Sequence, residues 1–238
     1  MGRAFEVRKS SMLKTGMAKA KIYSRHSKEI YLAAKNGVDP DSNLTLKRAM
    51  EKAKKDQVPA DVIKRAIEKA KSGTGEDYKA KSYEGFGPSG STIIVECLTD
   101  NDNRTISEVK NCFTKTDNRL GVSGSVTHMY NYLGVISLKG ISEDAVMECL
   151  IENDIDMHDM EIEDDIISIY VQVPDFMNAR NALTTICTEE EIVEDEITWI
   201  AMADVILDGD EEVSFNKMIS MLNECDDVQN IYHNVENI

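Results

Sequence analysis

Lys14, Lys21, Arg25, Lys28 and Lys35 are the residues of this 238-residue chain whose type and spacing point most directly to chemistry. At about 100° per residue they fall within roughly 80° of arc on a helix that reaches back to Lys14. A row of cations along one face neutralises the backbone phosphates of a nucleic acid, and Arg3, Arg8 and Lys9 ahead of it would add a basic arm. His26 lies in the same segment, where it serves phosphate contact or packing better than catalysis. Residues 7–28 hold seven Lys and Arg and no acid, whereas an ordinary solvated helix surface mixes both signs. Lys64 and Arg65 add cations further along. Only Phe5, Tyr23 and Tyr31 are near enough to stack on bases, so backbone or shape recognition is expected rather than a base-stacking platform.

The other motifs offer less. Gly85-Phe86-Gly87-Pro88-Ser89-Gly90 matches GxGxxG, but a dinucleotide site needs a strand before the glycines and a helix after them. Here a strand pattern follows, and Pro88 removes a backbone N–H that would have to cradle phosphate. The stretch reads as a sharp turn, with Phe86, Gly87, Pro88 and Ser89 forming an exposed loop able to touch RNA, a ribosome or another partner. His26, His128, His158 and His233 show no metal-ligand spacing, and no Ser/His/Asp or Cys/His arrangement is apparent. The acidic runs 189–191 and 208–212 lack the alternating ligands of a calcium loop. Cys97, Cys112, Cys149, Cys187 and Cys225 stand singly, without a zinc spacing or a disulfide framework. No catalytic group, metal or cofactor is expected, and reduced thiols fit a cytoplasmic protein.

The elements that position these residues follow from patterning. The net charge of −16 hides an uneven division: residues 1–81 hold 20 Lys and Arg against 10 Asp and Glu, and residues 82–238 hold 7 against 33. Net charges of +10 and −26 describe a basic binding module attached to an acidic body. Helices are expected over 17–35, from Leu44 to Gln57, and from Val58 with Pro59 in the first turn, together closing a three-helix bundle. A linker, SGTGEDYKAKS, follows over 72–82.

Beyond it, strands are expected at 91–98 and 124–132 around a helix at 103–117. A βαββαβ succession then runs through 134–138, 143–153, 155–162, 166–173, 175–187 and 191–203. A helix over 211–224 and a strand over 228–235 return to complete the sheet begun at 91–98 and 124–132. The expected fold is α+β. A helical bundle over 1–81 precedes two ferredoxin-like α+β domains, with 133–206 inserted into a discontinuous unit of 82–132 plus 207–238. No apolar run approaches a membrane span, and the basic N-terminus leads into no apolar signal segment.

Six blocks, in order, carry a resemblance: KIYSRHSKEIYLAAK (21–35), DQVPADVIKRAIEKAK (56–71), YEGFGPSG (83–90), LTDNDNRT (98–105), GVSGSVTHM (121–129) and DVQNIYHNV (227–235). Through them the sequence resembles the YebC/PmpR family over essentially its whole length. That resemblance implies a helical N-terminal domain followed by two α+β domains, and no catalytic triad. It also implies a probable DNA-binding transcriptional regulator. The alternative is a ribosome-associated translation factor, since mitochondrial relatives activate translation and bacterial ones are linked to ribosomes stalled on proline-rich sequences. The opening MGRAFEVRKSSM departs from the Gly-His-Ser-Lys-Trp start of many members, and GPSG stands where GPGG is frequent. The expected partner is DNA or ribosomal RNA, with no membrane and no small-molecule substrate.

Overall fold

Ala and Lys dominate the first part of the chain, and with Asn43 and Gly73 as punctuation they make short helices. The computed structural model describes residues 17–73 and 77–238. Helices α1 (Met17–Lys35), α2 (Leu44–Lys55) and α3 (Ala60–Ser72) pack around Ile30, Tyr31, Ala34, Leu46, Ile63 and Ala66. Asn43 caps α2 by accepting from the Leu46 N–H, while its amide donates to the Ala33 and Gly37 carbonyls and fixes the turn after α1. Pro59 stands at the N-cap of α3 rather than inside its first turn, and Gly73 closes that helix in the left-handed region at φ 65°.

Two four-stranded antiparallel sheets follow. The first contains β1 (Lys79–Phe86), β2 (Thr92–Thr99), β3 (Arg119–Leu120) and β8 (Val228–His233), in the order β3-β1-β2-β8. Helices α4 (Asp102–Thr114) and α7 (Gly209–Glu224) cover one face, enclosing Ile93, Val95, Phe113, Phe215, Met218 and Leu222. The second contains β4 (Tyr130–Lys139), α5 (Glu143–Glu152), β5 (Met157–Glu163), β6 (Ile166–Gln172), α6 (Phe176–Leu183) and β7 (Ile192–Ala201). Its order β5-β6-β4-β7 is the ferredoxin-like arrangement expected from the βαββαβ succession. Ile136, Leu138, Ile167, Ile169, Leu150, Phe176 and Leu183 fill its core.

The return of the last strand holds, because β8 pairs with β2 from Ile93 against His233 to Cys97 against Val228. Two other expectations need correction. The linker over 72–82 is shorter than expected, because Lys79 onward is already β1, paired along its length with β2. Residues 124–132 are not a strand of the first sheet. Thr127–Met129 is a 3-10 turn, and Tyr130 to Tyr132 pair with Ala201 to Trp199 in the second sheet. The cause is Glu84, which is only 4% exposed. Its carboxylate accepts the N–H groups of Gly124, Val126 and Thr127 at 2.7, 2.7 and 3.0 Å, so these amides cannot join a ladder.

Candidate nucleic-acid interface

Helix α1 carries its cations at i, i+4 and i+7 from Lys21, which places Lys21, Arg25 and Lys28 on one face. That face meets the acidic body. The Lys21 ammonium donates to the Asn223 carbonyl at 2.5 Å. Arg25 donates through Nε to the Val228 carbonyl at 3.0 Å and through its terminal nitrogen to Asn223 Oδ1 at 3.1 Å. Lys28 donates to the carbonyls of Leu98 and Asp226 and to Asp227 Oδ1, the last at 3.0 Å. The acceptors belong largely to the corner 223–228 between α7 and β8, where the carbonyls at the end of a helix hold partial negative charge. The stripe expected to face phosphates is therefore the seat between the helical part and the first sheet.

Asp227 is the hub of that seat. Its carboxylate, 2% exposed as a residue, also takes Arg104, at 2.7 Å to Oδ2, and the hydroxyls of Thr99 and Thr105. Burial alone would raise its pKa, but hydrogen bonds from Arg104, Thr105 and Lys28 hold it at about 2. The blocks around 21–35, 98–105 and 227–235 thus meet at one carboxylate. Charge counting missed Asp227, Arg104 and Asn223, although the first two lie inside matched blocks.

The remaining expected residues divide as follows. Arg3, Arg8, Lys9 and Lys14 lie outside the described residues. His26 is buried in the helical part, with Nε2 2.6 Å from Asp56 Oδ2 and Nδ1 3.6 Å from Glu29. Burial would lower its pKa, but the hydrogen bond to Asp56 and the pairing with Glu29 raise it to about 9. It acts there as a structural cation. Lys35 is exposed, paired with Asp77 at 3.1 Å and placed over the Tyr31 ring. Lys64 and Arg65 are the open ones: their side chains are 77% and 71% exposed, and among the described residues they pair locally on α3 with Glu68 and Asp61. Lys71 and Lys54 are exposed as well.

Helix α2 turns its own cations to the second sheet. Lys55 reaches Asp195 at 3.2 Å, Lys52 reaches Glu196 at 3.7 Å, and the Arg48 guanidinium lies 5.1 Å from the Phe176 ring centre. Part of the basic charge of residues 1–81 is therefore balanced within the chain.

The glycine loop answers to packing. A Cβ on Gly85 would collide with the Phe113 ring, and one on Gly87 with Ser91 Oγ and the Phe215 ring. Ser89 is exposed at φ 50°, and its hydroxyl donates to Glu211 at 2.7 Å. Phe86 lies beneath the Arg119 guanidinium, 4.9 Å away. An open depression of about 470 Å³ beside the loop is lined by Phe86, Pro88, Arg119, Asp117, Asp210 and Glu211. A phosphate entering it would meet three carboxylates and one guanidinium, which argues against a nucleotide there. His233 is half-buried with its ring edge-on to Phe215, and desolvation lowers it to about 4. Among the described residues no group of His, Cys, Asp and Glu is arranged to hold a metal ion, and no helix is long and apolar enough to cross a membrane.

Comparison with known proteins gives the same division of the chain. Residues 3–73 match the TACO1/YebC protein N-terminal domain, and residues 78–235 match the TACO1/YebC second and third domain. A probable transcriptional regulatory protein of Alteromonas mediterranea is 51% identical over 235 residues, covering 98% of both chains. One from Vibrio parahaemolyticus is 47% identical over 237 residues, covering 99% of this chain and all of its own. The crystal structure of a conserved hypothetical protein from Aquifex aeolicus superposes with a TM-score of 0.77 at 31% identity, over 93% of this chain and 92% of the other. With both family models matched in order across nearly its whole length, the chain belongs to the TACO1/YebC family.

Proposed function

We propose that this chain is a non-enzymatic regulator of gene expression that binds nucleic acid in the cytoplasm. Its relatives carry the name of probable transcriptional regulatory proteins, which supports the regulatory part of the reading. The observation that carries the binding part is the open cationic side of α3. There Lys64, Arg65 and Lys71 face solvent in a segment of net charge +10. The basic residues Arg3, Arg8 and Lys9 would add a basic arm. Contacts of this kind neutralise phosphates and carry no sequence code, so affinity falls steeply with salt. In this reading residues 1–81 bind, while 82–132 with 207–238 hold them in place and 133–206 add a further acidic unit.

Reversal of Lys64 and Arg65 to Glu, measured by fluorescence anisotropy on duplex DNA and on structured RNA, tests the proposal. A loss of affinity on at least one of them supports it, and unchanged binding to both removes it.

A second reading makes ribosomal RNA the target and the chain a ribosome-associated translation factor. The body of net charge −26 favours it, because an acidic surface is repelled along naked duplex but is accommodated by a particle that also presents basic protein. The turn at Gly87, Pro88 and Ser89, exposed at Ser89 and with Phe86 behind it, is the proposed partner contact. Crosslinking in cells followed by sequencing of the bound nucleic acid separates promoter DNA from ribosomal RNA.

A further inference from the structure

Two cysteines not among the groups described so far stand side by side. Cys112, in the last turn of α4, has its sulfur 3.8 Å from the sulfur of Cys225, the residue that ends α7. Cys112 is buried, whereas Cys225 is only partly buried. Of the remaining thiols, Cys97 and Cys149 are buried and Cys187 is partly buried.

We propose that Cys112 and Cys225 form a reversible oxidation site for peroxides, and that closing their disulfide loosens the seat of α1. The Cys225 sulfur attacks a peroxide oxygen. The S–O bond forms, the O–O bond breaks, and the thiol proton leaves with the departing oxygen as water or an alcohol. The Cys112 sulfur then attacks the sulfenic sulfur of Cys225. The S–S bond forms and the S–O bond breaks, and hydroxide departs as water with the Cys112 proton. Two electrons pass from the thiol pair to the peroxide, and a small dithiol reverses the reaction.

The structural consequence follows from distance. A disulfide needs its sulfurs about 2.05 Å apart, so the two must approach by nearly 2 Å. Cys225 lies in the corner whose groups hold α1: Asn223 takes Lys21 and Arg25, Asp226 and Asp227 take Lys28, and Val228 takes Arg25. Drawing that corner toward α4 displaces four acceptor residues at once from three cations. Oxidation acts on the fold of the chain, whatever nucleic acid the chain binds.

The test treats the folded full-length chain with hydrogen peroxide, alkylates the free thiols and maps peptides without reduction. The expected result is one cross-link joining Cys112 to Cys225, reversed by dithiothreitol and lost in Cys225→Ser. Trypsin cleavage after Lys21, Arg25 and Lys28 should accelerate several-fold in the oxidised wild type and stay unchanged in peroxide-treated Cys225→Ser. Sulfinic acid at Cys225 without a cross-link, or a cross-link involving Cys187 or Cys149, would overturn the site. A correct cross-link with unchanged proteolysis would overturn its effect on the seat. The wild-type peptide map needs no variant to fold, so it decides the site on its own.

Discussion

The Lys28 ammonium and the Asp227 carboxylate stand 3.0 Å apart, joining the first described helix to the start of the last strand across 199 positions of sequence. The carboxylate side chain is 3% exposed and the lysine 12%, and Arg104 shares the same acceptor. A net charge of −16 distributed as +10 and −26 is thus in part a description of how the chain holds itself together.

Asp227→Asn keeps the shape of the hub and removes its charge. Lys28 is left without its buried counter-ion, while Arg104 retains Asp100 and solvent. The expected cost is near the lower end for a broken buried pair, about 3 kcal/mol, read as a lower urea midpoint. A midpoint within error of the wild type would refute the role of the hub.

Acid and alkali should act on different joints. Asp227 is held at about 2, below its ordinary value, so its contribution is present above about pH 4 and is lost as pH falls toward 2. His26 is raised to about 9, so its contribution is complete below about pH 6.5 and is lost as pH rises through 9. Urea midpoints measured from pH 3 to pH 10 should fall at both ends. In His26→Gln the alkaline fall should flatten while the acid limb persists.

Glu84→Gln tests the turn that sends the chain from the first sheet into the second. Burial alone would raise the Glu84 pKa, but the backbone N–H groups of Val126, Gly124 and Thr127 hold it below its ordinary value. The amide leaves one of its two positions a donor facing donors, at a cost of about 1–3 kcal/mol. Amide hydrogen exchange should quicken at Gly124, Val126 and Thr127 ahead of the strands on either side.

Gly87→Ala distinguishes packing from ligand binding at the glycine loop. The added methyl meets Ser91 and the Phe215 ring, so stability should drop by about 1–3 kcal/mol in the absence of any nucleotide. Equal stability of variant and wild type would contradict the packing account.

What the sequence revealed depended on where the partner atoms lie. The βαββαβ succession was legible because strand and helix periods alternate cleanly from Gly134 to Ala201. The common face of Lys21, Arg25 and Lys28 was legible too, since helical spacing fixes it. Its destination was not, because most acceptors are backbone carbonyls of Leu98, Asn223, Asp226 and Val228, which no charge count registers. β1 was hidden by Lys, Ser and Gly in KAKSYEGF, whose first four residues read as linker although the strand is interior to its sheet. The first part of the strand expected at 124–132 failed because one distant carboxylate, Glu84, accepts the amides of Gly124, Val126 and Thr127, while Tyr130 to Tyr132 pair in the second sheet.

In the proposed function phosphate contact belongs to the open face of α3, while Lys21, Arg25 and Lys28 are committed to the seat. The most direct measurement is the salt dependence of nucleic-acid affinity for the wild type and for Lys64→Glu/Arg65→Glu, with the urea midpoint of each as a control for folding. Loss of two phosphate contacts should lower the slope of log Kd against log salt by about 2 for duplex DNA, or about 1.4 for single strands, at an unchanged midpoint. An unchanged slope in a folded double variant would contradict the account.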